Sequence, residues 1–507
     1  MIGDKQQITK VFWLYALLVS VAIHWSLPIV ADEAYMVSWG SNPALGYYDH
    51  PPLTGWLSSV IYKAEEFLGI SQHGTLHRIV VFCLAIFTIF WLRGYLRRRF
   101  PDAEVLTALS AIAVLPATLV FFNNFYNDTV LTFFLLGFLI ETERALRLPT
   151  SRVALIAAGV FFGLALFTKY TAAVFYLGVV VALLTTIEGR YFLFRRFVLI
   201  TLIASIPFIG NIVWNYYNCS VNLAFNFAFR EIEVGIIGWA YGILSFLLIL
   251  GPTIIFIILR SFGKFEARPL GFFTRALYGT LAVMLIFALQ RGYFGPNWAV
   301  PLLAPAILAA TEVFSTRQLH RLRTWNASFS VIIVAPLFVL LASNKLGLVH
   351  LEDIAPKGIA VVINQVFDLA DGSLSEEVVE LADGRAIAAI RYGRGAELSN
   401  STGVPVVLFS DLVFGRNQDL FTDYRELDGQ EIVFLPHNIQ MGTDLADKIF
   451  ASYKIESVEG FRQSYPVIIG HGFDYAAYRD ELILPVMEKY YNKSPFPSGR
   501  CFMDRYR

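Results

Sequence analysis

Acidic and basic side chains gather in the first long polar segment of the chain, and their types suit acid–base chemistry. Asp32 and Glu33 are adjacent at the end of a long apolar run, and Asp49 and His50 follow, directly before two prolines. Adjacent carboxylates repel each other and need a partner or a purpose, so we expect a functional role for the first pair. A carboxylate can act as a general base or hold a metal ion.

Three basic side chains beside other apolar runs are candidates for neutralising a phosphate: Arg78, Lys169 and Arg291. Lysine and arginine bind phosphate through charge-assisted hydrogen bonds. For Arg78 and Arg291 an equal alternative is a side chain that only reaches toward the lipid headgroups.

Polar and aromatic residues accompany these cations: Asn127, Asp128, Tyr170, Asn297 and Trp298. Asp128 directly precedes an apolar run, so a helix cap is at least as strong an alternative as a functional role. Trp298, like Tyr47 and Tyr48, could instead belong to an aromatic belt at the membrane surface.

The composition of the chain is that of a membrane protein. Of its 507 residues, 56% are hydrophobic and 16% are charged, whereas soluble domains average roughly 45–50% and about 25%. This excludes a disordered protein and a single soluble enzyme. The 40 basic residues balance the 40 acidic ones, which excludes nucleic-acid binding driven by bulk charge. We therefore expect a polytopic α-helical protein whose surroundings are membrane lipids, with no nucleic-acid partner.

Apolar runs long enough to cross a bilayer recur along the first two thirds of the chain. A spanning helix needs about 20 mostly apolar residues. We predict eleven spans, or up to thirteen because several runs are short or closely spaced. The runs are 11–30, 76–96, 103–122, 128–143, 153–168, 171–187, 197–214, 236–260, 274–291, 298–315 and 327–344.

Basic residues are divided unequally between alternate loops of this topology. One set of loops holds 19 Lys and Arg residues, and the other holds five: Lys63, Arg78, Lys169, Arg230 and Arg291. Loops rich in Lys and Arg stay in the cytoplasm. The N-terminus is therefore predicted to be cytoplasmic, and the candidate site residues are predicted to lie on the outer face.

The chain is predicted to divide after residue 345. Residues 1–345 form the transmembrane domain, whose first outer loop is 31–75. Within that loop, 53–68 has the spacing of an amphipathic helix lying in the membrane surface. Residues 346–507 form an extracytoplasmic α/β domain, because short apolar strands alternate there with helical stretches. The strands are 360–362, 406–409, 431–435 and 465–469, and the helical stretches include 443–453 and 478–490.

The three cysteines exclude a disulfide scaffold. Cys219 and Cys501 both lie outside in this topology, where they could pair, but we expect them to stay unpaired.

Several motifs, taken in order, resemble one family. They are Asp32-Glu33-Ala34-Tyr35, Tyr48-Asp49-His50-Pro51-Pro52-Leu53, Asn127-Asp128, Gly163-Leu164-Ala165-Leu166-Phe167-Thr168-Lys169-Tyr170 and Pro296-Asn297-Trp298-Ala299-Val300-Pro301. Over roughly 1–345 they resemble the bacterial lipid-phosphate-sugar glycosyltransferases. That group includes the protein O-mannosyltransferase-like family and the aminoarabinose and galacturonic acid transferases of lipopolysaccharide. The resemblance implies a GT-C fold.

The resemblance also implies roles in the first outer loop. Asp32 matches the acidic residue taken as catalytic, and Glu33 matches its supporting neighbour. Asp49 and His50 match an acidic–basic pair whose basic member meets the donor phosphate and whose acidic member can sit at a metal. Relatives often have Lys where this chain has His50, and histidine is only partly charged near neutral pH. A divalent metal at Asp49 and His50 therefore stays open, and no other cofactor is implied.

The later motifs imply further roles. Lys169 and Tyr170 are similar to a pair placed near the lipid phosphate, and topology adds Arg78 and Arg291 to the phosphate-binding candidates. The supporting residues are Asp49, Asn127, Asp128, Asn297 and Trp298.

The implied function is transfer of a sugar from a polyprenyl-phosphate donor, with Asp32 as base and with inversion. The acceptor would be lipid A, lipopolysaccharide core, another glycan or a protein, at the outer face of the bacterial inner membrane. The chain has no Rossmann or P-loop motif placed after a strand, which fits a donor without a nucleotide. Two alternatives stay open: a transporter or flippase of lipid-linked sugars, and a non-catalytic scaffold of an envelope complex.

Overall fold

Helices coincide with every apolar run identified in the sequence. The computed structural model describes residues 2–70, 72–98, 100–229, 236–262, 270–291, 296–349, 357–436 and 438–507. Its helices up to residue 345 are α1 (Ile2–Ser26), α2 (Ala31–Ser38), α3 (Leu53–Phe67), α4 (Thr75–Leu96), α5 (Asp102–Ala113), α6 (Pro116–Phe121), α7 (Asn127–Arg147), α8 (Arg152–Thr168), α9 (Ala172–Leu184), α10 (Ile187–Phe192), α11 (Val198–Tyr216), α12 (Val221–Ala224), α13 (Ile236–Leu250), α14 (Pro252–Phe262), α15 (Phe272–Arg291), α16 (Leu303–Val313) and α17 (Thr316–Lys345). Short 3₁₀ or π segments adjoin several of them, among them Trp39–Ser41, Leu193–Phe197, Phe225–Phe229 and Pro296–Ala299.

Five helical stretches within the described ranges are long and apolar enough to cross a membrane: Thr9–Ser26, Thr75–Leu96, Ile187–Tyr216, Phe272–Gln290 and Thr316–Lys345. The pair Gly238–Leu250 and Pro252–Ser261 qualifies only when taken together, and it bends by 89°. Other apolar helices, such as α8 and α9, are shorter than a full span. The chain is therefore a multi-pass membrane protein, and the count of eleven spans stays a prediction.

By its internal contacts the chain forms two units. The first, here called the helical unit, comprises Met1–Ser26, Arg78–Ile209 and Glu231–Leu340. The second, here called the mixed unit, comprises Leu27–His77, Gly210–Arg230 and Leu341–Arg507.

Close approach of helix backbones shapes the helical unit where α9 meets α15. A Cβ atom on Gly279 would lie 2.4 Å from the backbone oxygen of Gly178. Small residues permit such approach between membrane helices, where packing rather than the hydrophobic effect drives association. The crossing fixes α9, and with it the short turn from α8 that carries Lys169.

In its described residues the mixed unit contains a five-stranded sheet. Its strands are β1 (Ala386–Ala389), β2 (Val406–Leu408), β3 (Ile432–Leu435), β4 (Phe450–Glu459) and β5 (Ser464–Phe473), in the order β2-β1-β3-β5-β4. Strand β1 runs parallel to β2 and β3, with Ala388 opposite both Val407 and Phe434, and β5 runs antiparallel to β3 and β4. The accompanying helices are α18 (Lys357–Ala370), α19 (Ser373–Ala382), α20 (Tyr392–Thr402), α21 (Gln418–Phe421), α22 (Ile439–Ile449), α23 (Tyr475–Tyr478) and α24 (Leu484–Val486).

The strand predictions after residue 345 are partly right. Strands lie at 406–408, 432–435 and 464–473 as predicted, but 360–362 belongs to α18. Apolar residues recur through α18 at helical spacing, and a three-residue window misses that period. The segment 450–453 begins β4 rather than ending a helix, because it pairs with β5.

Helix α3 matches the predicted helix at 53–68, and its burial pattern is inverted relative to a soluble helix. Its small and polar residues Thr54, Ser58 and Glu65 are buried, whereas Trp56 and Val60 are exposed. An exposed apolar face fits a helix lying in a membrane surface.

Cys219 and Cys501 form a disulfide, so the expectation that they are unpaired is wrong. They are 282 positions apart in the sequence, and the fold brings them together. The backbone N–H of Cys219 donates to the backbone oxygen of Arg500 at 3.0 Å. The bond ties the segment after α11 to the C-terminal end of the chain.

Candidate functional site

The two adjacent carboxylates at the start of α2 differ in their exposure to solvent. The Asp32 side chain is exposed, whereas Glu33 is completely buried. The hydroxyl of Tyr392 donates a hydrogen bond of 2.7 Å to Oδ1 of Asp32. Asp32 is thus the carboxylate of the pair that is open to solvent, and Tyr392 is a partner that the sequence pattern does not indicate.

Asp49 and His50 lie side by side in the mixed unit. His50 Nδ1 is 3.1 Å from Oδ1 of Asp49, and the Tyr35 hydroxyl donates to the same oxygen at 3.5 Å. Burial raises the pKa of Tyr35 well above its ordinary value, and the Asp49 charge raises it further. Tyr35 therefore stays protonated and acts as a hydrogen-bond donor to Asp49.

Three asparagines hold the backbone around this pair. The Nδ2 atoms of Asn222 and Asn226 donate to the backbone oxygens of Tyr47 and Asp49, each at 2.8 Å. The Tyr48 N–H donates to Oδ1 of Asn417 at 3.3 Å. The spacing of four between Asn222 and Asn226 in an apolar stretch is the one sequence signal available, since those side chains share a helix face.

Tyr47 and Tyr48 are fully buried, so the alternative of an aromatic belt is wrong for them. The Tyr47 ring stacks on Trp39 with centroids 4.6 Å apart. It also lies against α3 at Gly55, where a Cβ atom would fall 2.2 Å from the ring. The Tyr47 ring thus packs the loop that carries Asp49 against Trp39 and α3.

A metal ion at Asp49 and His50 would have two protein side chains as ligands. Among the residues that the structure describes, no group of three or more His, Cys, Asp or Glu side chains could hold a metal ion. The donor set is one carboxylate and one imidazole, fewer than the three or four protein ligands of a zinc site.

Lys169 and Asp128 form a buried ion pair in the helical unit. Lys169 Nζ lies 2.9 and 2.8 Å from the two carboxylate oxygens of Asp128, and both side chains are less than a tenth exposed. Helix α7 has Tyr126 as its N-cap residue and no side-chain cap. Asp128 therefore pairs with Lys169 rather than capping the helix, although its carboxylate still benefits from the positive end of the helix dipole.

The remaining predicted residues are only partly described. Tyr170 is buried and packs edge-on against Phe208 at 5.9 Å, and Asn127 is fully buried at the start of α7. Trp298 is partly buried and packs on the core of the helical unit, as an interior residue does.

Arg78 is 4% exposed, so it does not extend freely toward headgroups. The side chains of Arg291 and Asn297 lie outside the described part of the chain.

A buried carboxylate organises the end of the first outer loop. Glu65 accepts hydrogen bonds from His73 at 3.2 Å, from His77 at 3.3 Å and from the N–H groups of Gly74 and Leu76. Burial by itself raises the pKa of Glu65, but these hydrogen bonds outweigh it and lower the pKa to about 2.

Replacing Glu65 with Gln is expected to destabilise the protein at neutral pH by about 3 kcal/mol, because the carboxylate is ionised more readily folded than unfolded. This contribution is complete above the ordinary pKa of 4.5 and is lost as the pH falls toward 2. The free energies of unfolding of wild type and Glu65→Gln in detergent should therefore differ at pH 7, and this difference should shrink below pH 4.5. The exposed neighbour variant Glu66→Gln is the control, and a gap that stays constant down to pH 2.5 would contradict the assignment.

The structure thus forms two contacts between predicted residues, Asp49 with His50 in the mixed unit and Lys169 with Asp128 in the helical unit. A third contact joins Asp32 to Tyr392 in the mixed unit. Each contact lies within a single unit.

Known proteins resemble this chain in sequence and in fold. Residues 49–214 match the family model described as dolichyl-phosphate-mannose-protein mannosyltransferase. The match begins at Asp49, so Asp32 lies outside it. No curated protein sequence matches the chain.

Two solved structures share the fold over nearly their whole length. ArnT from Cupriavidus metallidurans in the apo state is 16% identical, with a TM-score of 0.60 over 91% of this chain and 98% of that one. The same protein bound to undecaprenyl phosphate is 17% identical, with a TM-score of 0.59 over 90% and 97%. At such identities the similarity establishes the fold alone. Together with the family match it confirms the predicted resemblance: the chain has the GT-C fold and resembles the polyprenyl-phosphate-sugar glycosyltransferases.

Proposed function

We propose that this protein is an integral membrane glycosyltransferase that moves a sugar from a polyprenyl-phosphate donor to an acceptor of the cell envelope. The observation that carries the proposal is an exposed carboxylate, Asp32, fixed by the Tyr392 hydroxyl in a chain with the GT-C fold. The family description names a dolichyl-phosphate-linked sugar, and the ArnT structure holds undecaprenyl phosphate. Both are polyprenyl phosphates, which supports the class of donor.

In the proposed reaction, Asp32 accepts the proton of the acceptor hydroxyl or amine. The acceptor oxygen or nitrogen forms a bond to the anomeric carbon as the bond from that carbon to the phosphate oxygen breaks. Attack from the face opposite the phosphate inverts the configuration, and polyprenyl phosphate leaves with the bonding electrons. Glu33, which is buried, would support α2 rather than take part in proton transfer.

For the leaving phosphate we propose the basic and hydroxyl groups His50, Lys169, Tyr170, Arg78 and Arg291. Lys169 uses two of its three N–H groups on Asp128, which leaves one for a phosphate oxygen. A fixed cation in a partly dry site stabilises developing charge more than it would in water. Asp49, Asn127, Asp128, Asn297 and Trp298 would have supporting roles.

We further propose that the reaction takes place on the periplasmic side of the bacterial inner membrane. The proposed topology has eleven spans within 1–345, a cytoplasmic N-terminus and a periplasmic domain at 346–507. The unequal distribution of Lys and Arg between loops supports this orientation. The disulfide between Cys219 and Cys501 supports it independently, because such bonds persist in oxidising compartments.

Mass spectrometry of envelope glycans and lipid A from a deletion strain tests the proposal in cells. We expect one sugar to be missing, to return with the wild-type gene, and to stay missing with Asp32→Asn at equal membrane levels. An unchanged glycan profile in the deletion strain would contradict a transferase role. Restoration by Asp32→Asn would contradict the role of Asp32 and favour a transporter or a scaffold.

A further inference from the structure

The backbone directly before Asp32 has an unusual conformation. Ala31, the first residue of α2, has a φ of +46°. In this left-handed region the Cβ atom of an ordinary residue crowds the backbone, so glycine is the usual occupant. An alanine stays there only when its surroundings hold it.

Helix α20 supplies contacts that hold this turn. The Ala31 N–H donates to Oε1 of Glu397 at 2.7 Å, and Asn400 Nδ2 donates to the backbone oxygen of Ala34 at 2.8 Å. A Cβ atom on Gly393 would lie 3.2 Å from the Cα atom of Ala31, so the two backbones pack closely. All of these residues belong to the mixed unit.

Glu397 is itself fixed in place. It is buried and accepts a hydrogen bond of 2.6 Å from Arg394, which also donates to the backbone oxygen of Val362 at 2.9 Å. Helix α2 has no side-chain cap of its own at Val30. The first N–H groups of a helix lack partners within it, and a negative charge is favourable there. Glu397 therefore acts as the missing cap, from a position 366 residues further along the chain.

We propose that α20 is the positioning element of the candidate base. Tyr392 orients the Asp32 carboxylate, and Glu397 holds the Ala31 backbone that presents it. The inference rests on the proposed function. It assigns a role to the C-terminal part of the chain: through α20, that part fixes the direction of the Asp32 carboxylate, which takes the acceptor proton. Tyr392 and Glu397 are positioning residues, since they act through Asp32.

The kinetic test compares Tyr392→Phe, Glu397→Ala and Glu397→Gln in the full-length protein. Losing a hydrogen bond to a charged group should lower kcat about tenfold or more in Tyr392→Phe and Glu397→Ala, with the KM for the lipid donor unchanged. Glu397→Gln keeps an oxygen for the Ala31 N–H and should lose less than Glu397→Ala. Lys448→Ala, which breaks an exposed ion pair with Glu481, is the control. An unchanged kcat in Glu397→Ala, or equal losses in the Ala and Gln variants, would overturn the proposal.

Hydrogen exchange across 27–38, read by mass spectrometry, tests the same inference without a transferase assay. Glu397→Ala should exchange faster there than wild type and Lys448→Ala, while strands β1 and β3 keep their protection and so report a folded protein. Unchanged exchange would overturn the inference even if the protein is a transferase. If Glu397→Ala exchanges faster but the wild-type protein transfers no sugar, the contact between Glu397 and Ala31 stands and the proposed function is refuted.

Discussion

Replacing Asp32 with Asn is expected to lower the rate of sugar transfer by about 10²-fold to 10⁴-fold, the usual contribution of a general base. Asparagine has nearly the same shape and keeps an oxygen that accepts the hydrogen bond from Tyr392. The change therefore removes the proton acceptor and leaves the local structure in place. The measurement is transfer of a radiolabelled sugar from its polyprenyl phosphate at saturating donor.

Two controls make the Asp32 result interpretable. Glu66→Gln removes an exposed carboxylate from the same predicted outer loop and should leave transfer unchanged. Donor binding to Asp32→Asn should match wild type, because the base meets the acceptor rather than the phosphate. A wild-type rate of transfer by Asp32→Asn would contradict the assignment of Asp32 as the base.

The second large effect is expected at the buried pair of Lys169 and Asp128. Lys169→Met leaves the Asp128 carboxylate buried without its partner, which should cost roughly 3–5 kcal/mol of stability. It should also weaken donor use, since the proposed phosphate contact is lost. Thermal unfolding in detergent and the KM for the donor measure the two effects separately.

The double variant Asp128→Asn/Lys169→Met separates the structural role of the pair from its proposed catalytic role. Both charges are then gone, so most of the lost stability should return. The donor KM should stay about tenfold or more above wild type, because the Lys169 cation that is proposed to bind the phosphate is still missing. A stable double variant with a wild-type donor KM would show that Lys169 serves only the fold.

Membrane helices were largely predictable because their signal is local. Every apolar run identified in the sequence coincides with helix in the structure, and the spacing of Trp56 and Val60 indicated α3. The strands were less predictable. The strand β1, Ala-Ile-Ala-Ala, has little of the β-branched character that marks strands, and its place in the sheet depends on partners about 20 and 46 positions away.

The candidate site was predictable where a charged side chain lies beside an apolar run or in the first outer loop. Asp32, Asp49 and His50 share one loop, and their types alone suggest chemistry. Tyr392 and Glu397 lie more than 350 positions away and reach α2 only because α20 folds against it. The disulfide between Cys219 and Cys501 has the same cause, since a pairing over 282 positions leaves no local trace.

The most direct measurement is an assay with the purified protein in lipid vesicles, an undecaprenyl-phosphate sugar labelled in the sugar, and an envelope extract as acceptor. We predict transfer of label to the extract with release of undecaprenyl phosphate in equal amount, dependence on Asp32, and no transfer from the matching nucleotide sugar. Label that crosses the vesicle membrane while still attached to undecaprenyl phosphate, with no product formed, would contradict it and identify a transporter.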